Sequence, residues 1–483
     1  MGERDARGTP PPRAEPSPQG GLPRQGTPLA RAGGAPDPRG RGADPRAPHR
    51  RAFHTAIGGP DLTRVRLTFH RTFHSLGHSE NFRRFFIGQA ISVTGTWMQM
   101  VAAAWLVLQL TGSGVALGID TALAFGPILL FGPLGGSLAD RYDKRRILLA
   151  TQVTFGALAF VLWGIVATGV VELWMVYALS FLQGVTTSID QPTRQSFFAE
   201  MVEDRDLPNA VSLNSAVMTG TRIVGPALAG ALIAGIGLQW CFFINAFSYV
   251  AVIVALLSMH ADQLRPQRAP HEAGAIREGL RYAWRTGELR RPLVLMSVLY
   301  LFSFNYSVLM PLFAERTFDG DAGTLALLFS VAGVGSLAGA LVMASRPRPG
   351  ERMLALAAVG VGVVTMLVAL APTLDVAVIS MLPLGVASIV FFVTANSTLQ
   401  LTSRPDMRGR VMALYGIVFL GTTPFGAPVA GWIGEHLGPR VAFAGGGLVA
   451  LATGLVGLWV LSRRATAGRL ELDPAGIGRV EAA

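Results

Sequence analysis

Cysteine and lysine are almost missing from this 483-residue chain, which holds a single Cys241 and a single Lys144. One cysteine inside an apolar stretch excludes a disulfide framework and a thiolate metal cluster. Charge is scarce as well. Only 15% of residues are charged while 51% are hydrophobic, and the mean hydropathy is +0.43. A single soluble core cannot bury that much apolar surface, so the composition places the chain in a bilayer. No glycine-rich loop ending in Gly-Lys-Ser/Thr occurs, which leaves ATP-driven pumping unsupported, and no His/Glu cluster has metal-ligand spacing. His260 and His436 stand alone near the ends of apolar stretches. A membrane-embedded enzyme would need a nucleophile with its base, or a metal constellation, and neither is found. The expectation is therefore a non-enzyme without a cofactor.

The net charge of +11 and the pI near 10.8 would suit a nucleic-acid partner. The basic residues, however, lie in the tails and in alternate loops between apolar runs. That pattern sets membrane orientation, so lipid is the expected partner and nucleic acid is not. Runs of about 20 apolar residues, enough to cross ~30 Å of hydrocarbon, lie near 85–110, 115–138, 147–168, 172–196, 209–236 and 239–259. Six more lie near 292–314, 324–345, 353–371, 375–402, 410–434 and 439–461. The expected fold is an all-α membrane protein of twelve transmembrane helices in two six-helix bundles. Arginine recurs in every second connection: Arg141 to Arg146, Arg194 and Arg205, Arg265 to Arg291, Arg346 to Arg352, Arg404 to Arg410. The other connections offer Arg316 and Arg440. Both termini are thus expected in the cytoplasm.

The expected organisation is a disordered Arg/Pro/Gly-rich cytoplasmic tail (1–80), a first bundle (81–260), a linker (261–290), a second bundle (291–462) and a C-terminal tail (463–483). Within the linker, residues 272–286 put Ile276, Leu280, Ala283 and Trp284 on one helical stripe with arginines beside it, as in an interfacial amphipathic helix. A solvated linker helix is the plainer alternative. The two bundles also repeat each other. At an offset of 201, Gly220, Thr221, Gly225, Ala229 and Gly230 fall on Gly421, Thr422, Gly426, Ala430 and Gly431. Paired Gly/Pro-interrupted helices in corresponding positions of two halves are the mark of a two-bundle secondary transporter.

After the second apolar run comes GSLADRYDKRR, in which Gly136 would let a neighbouring backbone approach. Asp140 sets a carboxylate among Arg141, Lys144, Arg145 and Arg146. A switchable ion-pair latch can be built there. This segment resembles the signature loop between helices two and three of the major facilitator superfamily, with Asp143 where a glycine is common. The resemblance implies that Asp140 faces the start of span eleven, near Arg408 and Gly409, and stabilises the outward-open state. The fifth run contains TGTRIVGPALAG, where Pro226 removes a backbone bond and Gly220, Gly225 and Gly230 thin one face for a tight seal between bundles. It resembles the antiporter motif of exporting facilitators, with Thr221 and Ala229 at usual glycine positions, which leaves uptake open as an alternative direction.

Over residues 81–461, segments such as NFRRFFIGQAISVTGTWMQMVAAAWLVLQLTGS and DQPTRQSFFAEMVEDRDLPNAVSLNSAV resemble the enterobactin-exporter-like and macrolide-efflux-like branch. The resemblance implies a monomer that exports a small amphipathic compound, such as a siderophore or a macrolide-like drug, with the proton gradient as its energy source. Charges inside the membrane cost at least ~2.5–3.5 kcal/mol on insertion scales and so mark tasks. Arg222, near the midplane, either binds an anionic substrate or holds a carboxylate. Asp120 is the nearest candidate acid for proton coupling, or else a residue of the outer lip. Asp190 and Arg194, four apart on one helix face, are expected to pair in the inner gate. Gln99, Gln183, Asn214, Asn305, Asn396 and Gln400 are candidates for lining a polar cavity, with Trp97, Trp105, Phe304 and Tyr306 as aromatic surface. Helix-to-helix hydrogen bonding is the competing role for each.

Overall fold

The computed structural model describes residues 77–203, 205–265, 275–344 and 350–471. The expected tail of residues 1–80 lies almost wholly outside the described residues, as do Arg346 and Arg348. The described residues are helical with short turns. In chain order the helices are α1 (Glu80–Thr111), α2 (Gly114–Arg141), α3 (Lys144–Ala167), α4 (Leu173–Met201), α5 (Leu207–Gly235), α6 (Gln239–Leu257) and the short α7 (Ala275–Arg285). They continue as α8 (Gly287–Phe302), α9 (Tyr306–Phe318), α10 (Ala322–Ala344), α11 (Glu351–Ala369), α12 (Leu374–Thr402), α13 (Arg408–Gly421), α14 (Thr423–His436) and α15 (Pro439–Glu471). Eleven stretches are long and apolar enough to cross a membrane, counting α8–α9 and α13–α14 as one each. The 29-residue α4 completes twelve by length. It falls short in hydropathy because Gln183, Asp190, Arg194 and Glu200 sit within it.

Helix starts follow capping chemistry. Ser79 and Ser113 accept from the backbone N–H groups of Phe82 and Ala116, at 3.1 and 3.2 Å. Asp143 accepts from the Arg146 N–H at 3.1 Å and opens α3. That explains its place in the signature loop: where a glycine is common, this chain has an N-cap. Two spans are broken. Span seven is interrupted at residues 303–305, where the Asn305 side chain donates to the Leu301 carbonyl at 2.9 Å. Span eleven breaks at Thr422, just before Pro424, whose missing N–H cannot continue the ladder.

In the first bundle α2 packs on α4, α1 on α5 and α6, and α3 on α4 and α6. In the second, α10 packs on α12, and α11 on α12 and α15. The bundles meet along two seams, α2 with α14 and α5 with α10. The repeat seen in the sequence is realised at these seams. Gly225 packs on its own bundle at the Trp97 Cβ, where an added Cβ would come within 2.5 Å, and Gly426 packs likewise on the Leu301 carbonyl of its bundle. One turn and a half on, Gly230 faces Ala326 across the α5–α10 seam and Gly431 faces Gly114 across the α2–α14 seam. Span five therefore stands to spans one and eight as span eleven stands to spans seven and two.

The linker helix α7 lies against α13. Its Glu278 pairs with Arg410 at 2.8 Å, and Gly279 abuts Arg410. Ala283 is buried in that contact while Leu280 and Trp284 are exposed. Within the expected stripe the small Ala283 takes the protein side, and the large Leu280 and Trp284 are left exposed.

Candidate functional site

Two ends of the molecule can be distinguished: a near end, where α1 begins and α2 turns into α3, and a far end, where α1 turns into α2. At the far end the seams are shut. Gly114 and Gly431 each fill the place of the other's missing side chain, and an added Cβ on Gly118 would lie 2.6 Å from the Pro428 Cα. On the other seam, a Cβ on Gly230 would lie 2.6 Å from that of Ala326, and one on Gly333 would lie 3.0 Å from the Arg222 carbonyl. Toward the near end both seams open. Leu129 still touches Gly421, but Cβ atoms added at Gly132, Gly136, Gly220, Gly409 and Gly416 would meet nothing within 4 Å. The bundles converge at the far end and part from about the depth of Arg222.

A clamp that the sequence reading missed ties the far end together. Glu435, in the last turn of α14, accepts from the Ser113 hydroxyl at 2.6 Å and the Val115 N–H at 2.9 Å. A carboxylate of the second bundle thereby caps the N-terminus of α2 in the first, where free N–H groups and the helix dipole favour negative charge. Arg316 donates to the Glu435 carbonyl at 2.9 Å and also to the Gly112 carbonyl. A carboxylate in the last turn of an apolar span was the available signal.

At the mouth of the opening, about midway along α5, the Arg222 guanidinium lies over the Trp97 ring, 5.1 Å from its centroid. From the opposite bundle Tyr300 on α8 and Tyr415 on α13 lie across the cavity from it. Tyr415 neighbours Asn396, whose side-chain oxygen accepts from Gln400 at 2.7 Å. Behind these groups stands an aromatic wall: Tyr300 stacks on Phe392 at 5.5 Å, Phe304 meets Phe392 at 4.7 Å, and Tyr415 stacks on Phe419 at 5.9 Å. A groove of about 350 Å³ between α3 and α6 is lined by apolar side chains such as Phe160 and Phe247 and lacks comparable chemistry.

Other expected residues are redistributed. Asp120 accepts from the Ser180 hydroxyl at 2.6 Å, so α4 of its own bundle engages it rather than Arg222. Among the described residues Asp120 and Arg222 form no ion pair, so Asp120 is not the carboxylate that Arg222 would hold. Gln99 is buried in a network with Asn245 (2.6 Å) and Gln183 (3.4 Å). Asn305 is buried and bridges the break in span seven, so it is structural rather than cavity-lining. Gly136 faces open space, and the neighbouring Gly135 makes the close approach, to the Ser188 backbone. Of the three glycines in TGTRIVGPALAG only Gly230 reaches the other bundle. Gly225 and Pro226 are buried, Gly225 against α1, and Gly220 is open.

At the near end, Arg194 Nε donates to Asp190 at 3.0 Å. The other carboxylate oxygen of Asp190 accepts from Thr151 at 2.7 Å and Gln152 at 2.9 Å. The expected pair is present and knits α4 to α3. Arg145 departs from the expected cluster: it donates to the Leu256 and Leu257 carbonyls at 2.7 and 3.0 Å and caps the end of α6. Lys144 pairs instead with Glu200 of α4, both buried. Asp140 is partly buried in the last turn of α2, and Arg141 and Arg408 are exposed. Among the described residues no group of three His, Cys, Asp or Glu side chains is placed to hold a metal ion.

The sequence matches the family described as transmembrane secretion effector over residues 72–472. The chain belongs to that family of major facilitator transporters. It is 25% identical over 390 residues to the enterobactin exporter EntS of Escherichia coli O1:K1 / APEC, covering 79% of this chain and 91% of that protein. It is 24% identical to the staphyloferrin A transporter of Staphylococcus aureus, over 54% of this chain and 66% of that one. With the MFS-type transporter YfiS of Bacillus subtilis the identity is 29%, over 53% and 62%. The match therefore spans less than two thirds of the last two relatives. A solved POT family transporter in complex with 5-aminolevulinic acid superposes with a TM-score of 0.67 at 12% identity, over 80% of this chain and 97% of that one. The nucleoside transporter NupG gives 0.63 at 11%, over 79% and 99%. These solved structures share the fold of this chain.

Proposed function

We propose that this secretion-effector family member is a proton-coupled exporter of a small amphipathic compound in the cell membrane, working as a monomer by alternating access. The observation that carries the reading is the pair of seams shut at the far end and parted at the near end around a polar and aromatic cavity. Arginine alternation supports a cytoplasmic near end with both termini on that side. The described conformation is then open to the cytoplasm, ready to load a compound made inside. Residues 81–260 and 291–462 rock as units, with Asp140, Arg141 and Arg408 meeting when the near end closes. No bound cofactor is needed, since the proton gradient supplies the energy. The names of two relatives make siderophores the first substrates to try.

The test is transport by the purified full chain in proteoliposomes with an imposed proton gradient. Enterobactin and staphyloferrin A, loaded inside, are followed outward, with intravesicular pH read by a trapped dye. Gradient-dependent movement of compound with proton counterflow supports the reading. Compound movement that ignores the gradient, or that runs with the proton, contradicts it.

A further inference from the structure

Arg222 is a permanent cation at mid-depth in the membrane, yet among the described residues no carboxylate pairs with it and no hydrogen bond reaches it. Its described contact is the face of Trp97, with Tyr300 and Tyr415 across the cavity. Arg222 is half-buried at the mouth of the cavity, and its five guanidinium N–H donors are available there to an acceptor that enters. A second observation lies opposite. The Tyr300 hydroxyl is buried, with the Tyr415 hydroxyl as its polar neighbour. A pair of tyrosine hydroxyls across a cavity from a cation without a counter-charge has the shape of half a binding site. The surroundings are flat and aromatic: Trp97 on one bundle, and Tyr300, Phe392, Phe419 and Tyr415 on the other.

Resting on the transporter reading above, we propose that the substrate is an anionic aromatic compound whose negative group bridges Arg222 of the first bundle and the Tyr300–Tyr415 pair of the second. The guanidinium supplies the charge and a planar fork of donors, which suits a carboxylate or phenolate. The tyrosine hydroxyls donate from the far side, and the ring of the compound slots beside Trp97 and the aromatic wall. The site spans the gap between bundles at the depth where the seams part. A bound anion would therefore tie the two halves together and favour closure of the near end.

The experiment measures binding to the purified full chain in lipid nanodiscs by equilibrium dialysis, using 2,3-dihydroxybenzoate and its neutral isostere 2,3-dihydroxybenzamide. Wild-type protein should prefer the benzoate. Arg222→Gln should weaken the benzoate by at least about tenfold, the scale of a lost charged hydrogen bond, and weaken the benzamide much less. Tyr415→Phe, on the other bundle, should weaken the benzoate severalfold and keeps the test open if Arg222→Gln does not fold. Equal affinity for both probes, no binding of either, or wild-type benzoate affinity in both variants would overturn the proposal and leave Arg222 a charge hydrated by cavity water only. Those results would leave export itself standing if proteoliposomes still move enterobactin against a gradient. Benzoate selectivity in a protein that moves nothing would instead sink the transporter reading and keep the site.

Discussion

At the scale of single residues, the near end of the first bundle holds two buried ion pairs, and their burial makes them expensive to break. Asp190 satisfies Arg194, Thr151 and Gln152 at once. Asp190→Ala leaves a guanidinium without its counter-charge and should lower stability by about 3–5 kcal/mol. Thermal unfolding in detergent should show a clear fall in midpoint, and Asp190→Ala with Arg194→Met should recover part of it. An unchanged midpoint in the single variant would mean that water, not the pair, satisfies the arginine. Lys144 offers a cleaner reading, because it is the only lysine in the chain and is buried against Glu200. An amine-directed reagent should spare it in the folded protein and modify it on unfolding. Rapid modification of native protein would show that this pair opens freely. The Asp190–Arg194 pair was legible from an i, i+4 spacing within one helix. Lys144–Glu200 was not, since its partners are 56 residues apart and only the packing of α3 on α4 brings them together. Arg145 was misread for a related reason. Its position in a basic loop says nothing of the α6 carbonyls that it caps.

At the scale of elements, small residues decide where helices can touch. Gly431 and Gly114 abut so closely that a branched side chain at either would force the α2–α14 seam apart. Gly431→Val should expose the far end, seen as faster labelling of a thiol introduced at Val115, in a chain whose own Cys241 is buried. Labelling no faster than in the parent would show that this contact is not the seal. Gly220→Ala has the opposite logic, for nothing lies within 4 Å of an added Cβ there. It should fold and bind as the parent does, yet slow transport if Gly220 packs when the near end closes. The Glu435 clamp belongs to the same scale. Glu435→Gln keeps the shape but removes the charge from the α2 N-terminus, a loss on the order of 1 kcal/mol. It should raise the same far-end labelling by a smaller factor than Gly431→Val. The sequence carried the spans, the repeat and the glycine positions, because period and composition are local properties. Which glycine faces which helix was beyond it: Gly220, Gly225 and Gly230 look alike in sequence, and only the crossing of α5 over α1 and α10 separates their roles.

At the scale of the whole molecule, the twofold repeat gives the two bundles matched seams, α5 with α10 and α2 with α14, and both end at the same depth. In the proposed alternating access, one bundle rocks on the other along these matched seams, so that closing the near end would open the far end. The cavity residues lie at this pivot, contributed from both sides: Arg222 and Trp97 from one bundle, Tyr300, Tyr415 and Asn396 from the other. The central claim, coupled and opposite motion of the two ends, is tested most directly by spin-label distances in nanodiscs. One label pair at Arg141 and Arg408 reports the near end, and another at Thr111 and Leu437 reports the far end, in a Cys241→Ser background. Enterobactin and a lowered pH of the sample are the perturbations. The account predicts that the near-end distance shortens as the far-end distance lengthens, in the same samples and by the same population shift. Distances that change together, or that stay fixed in protein shown to transport, would contradict it.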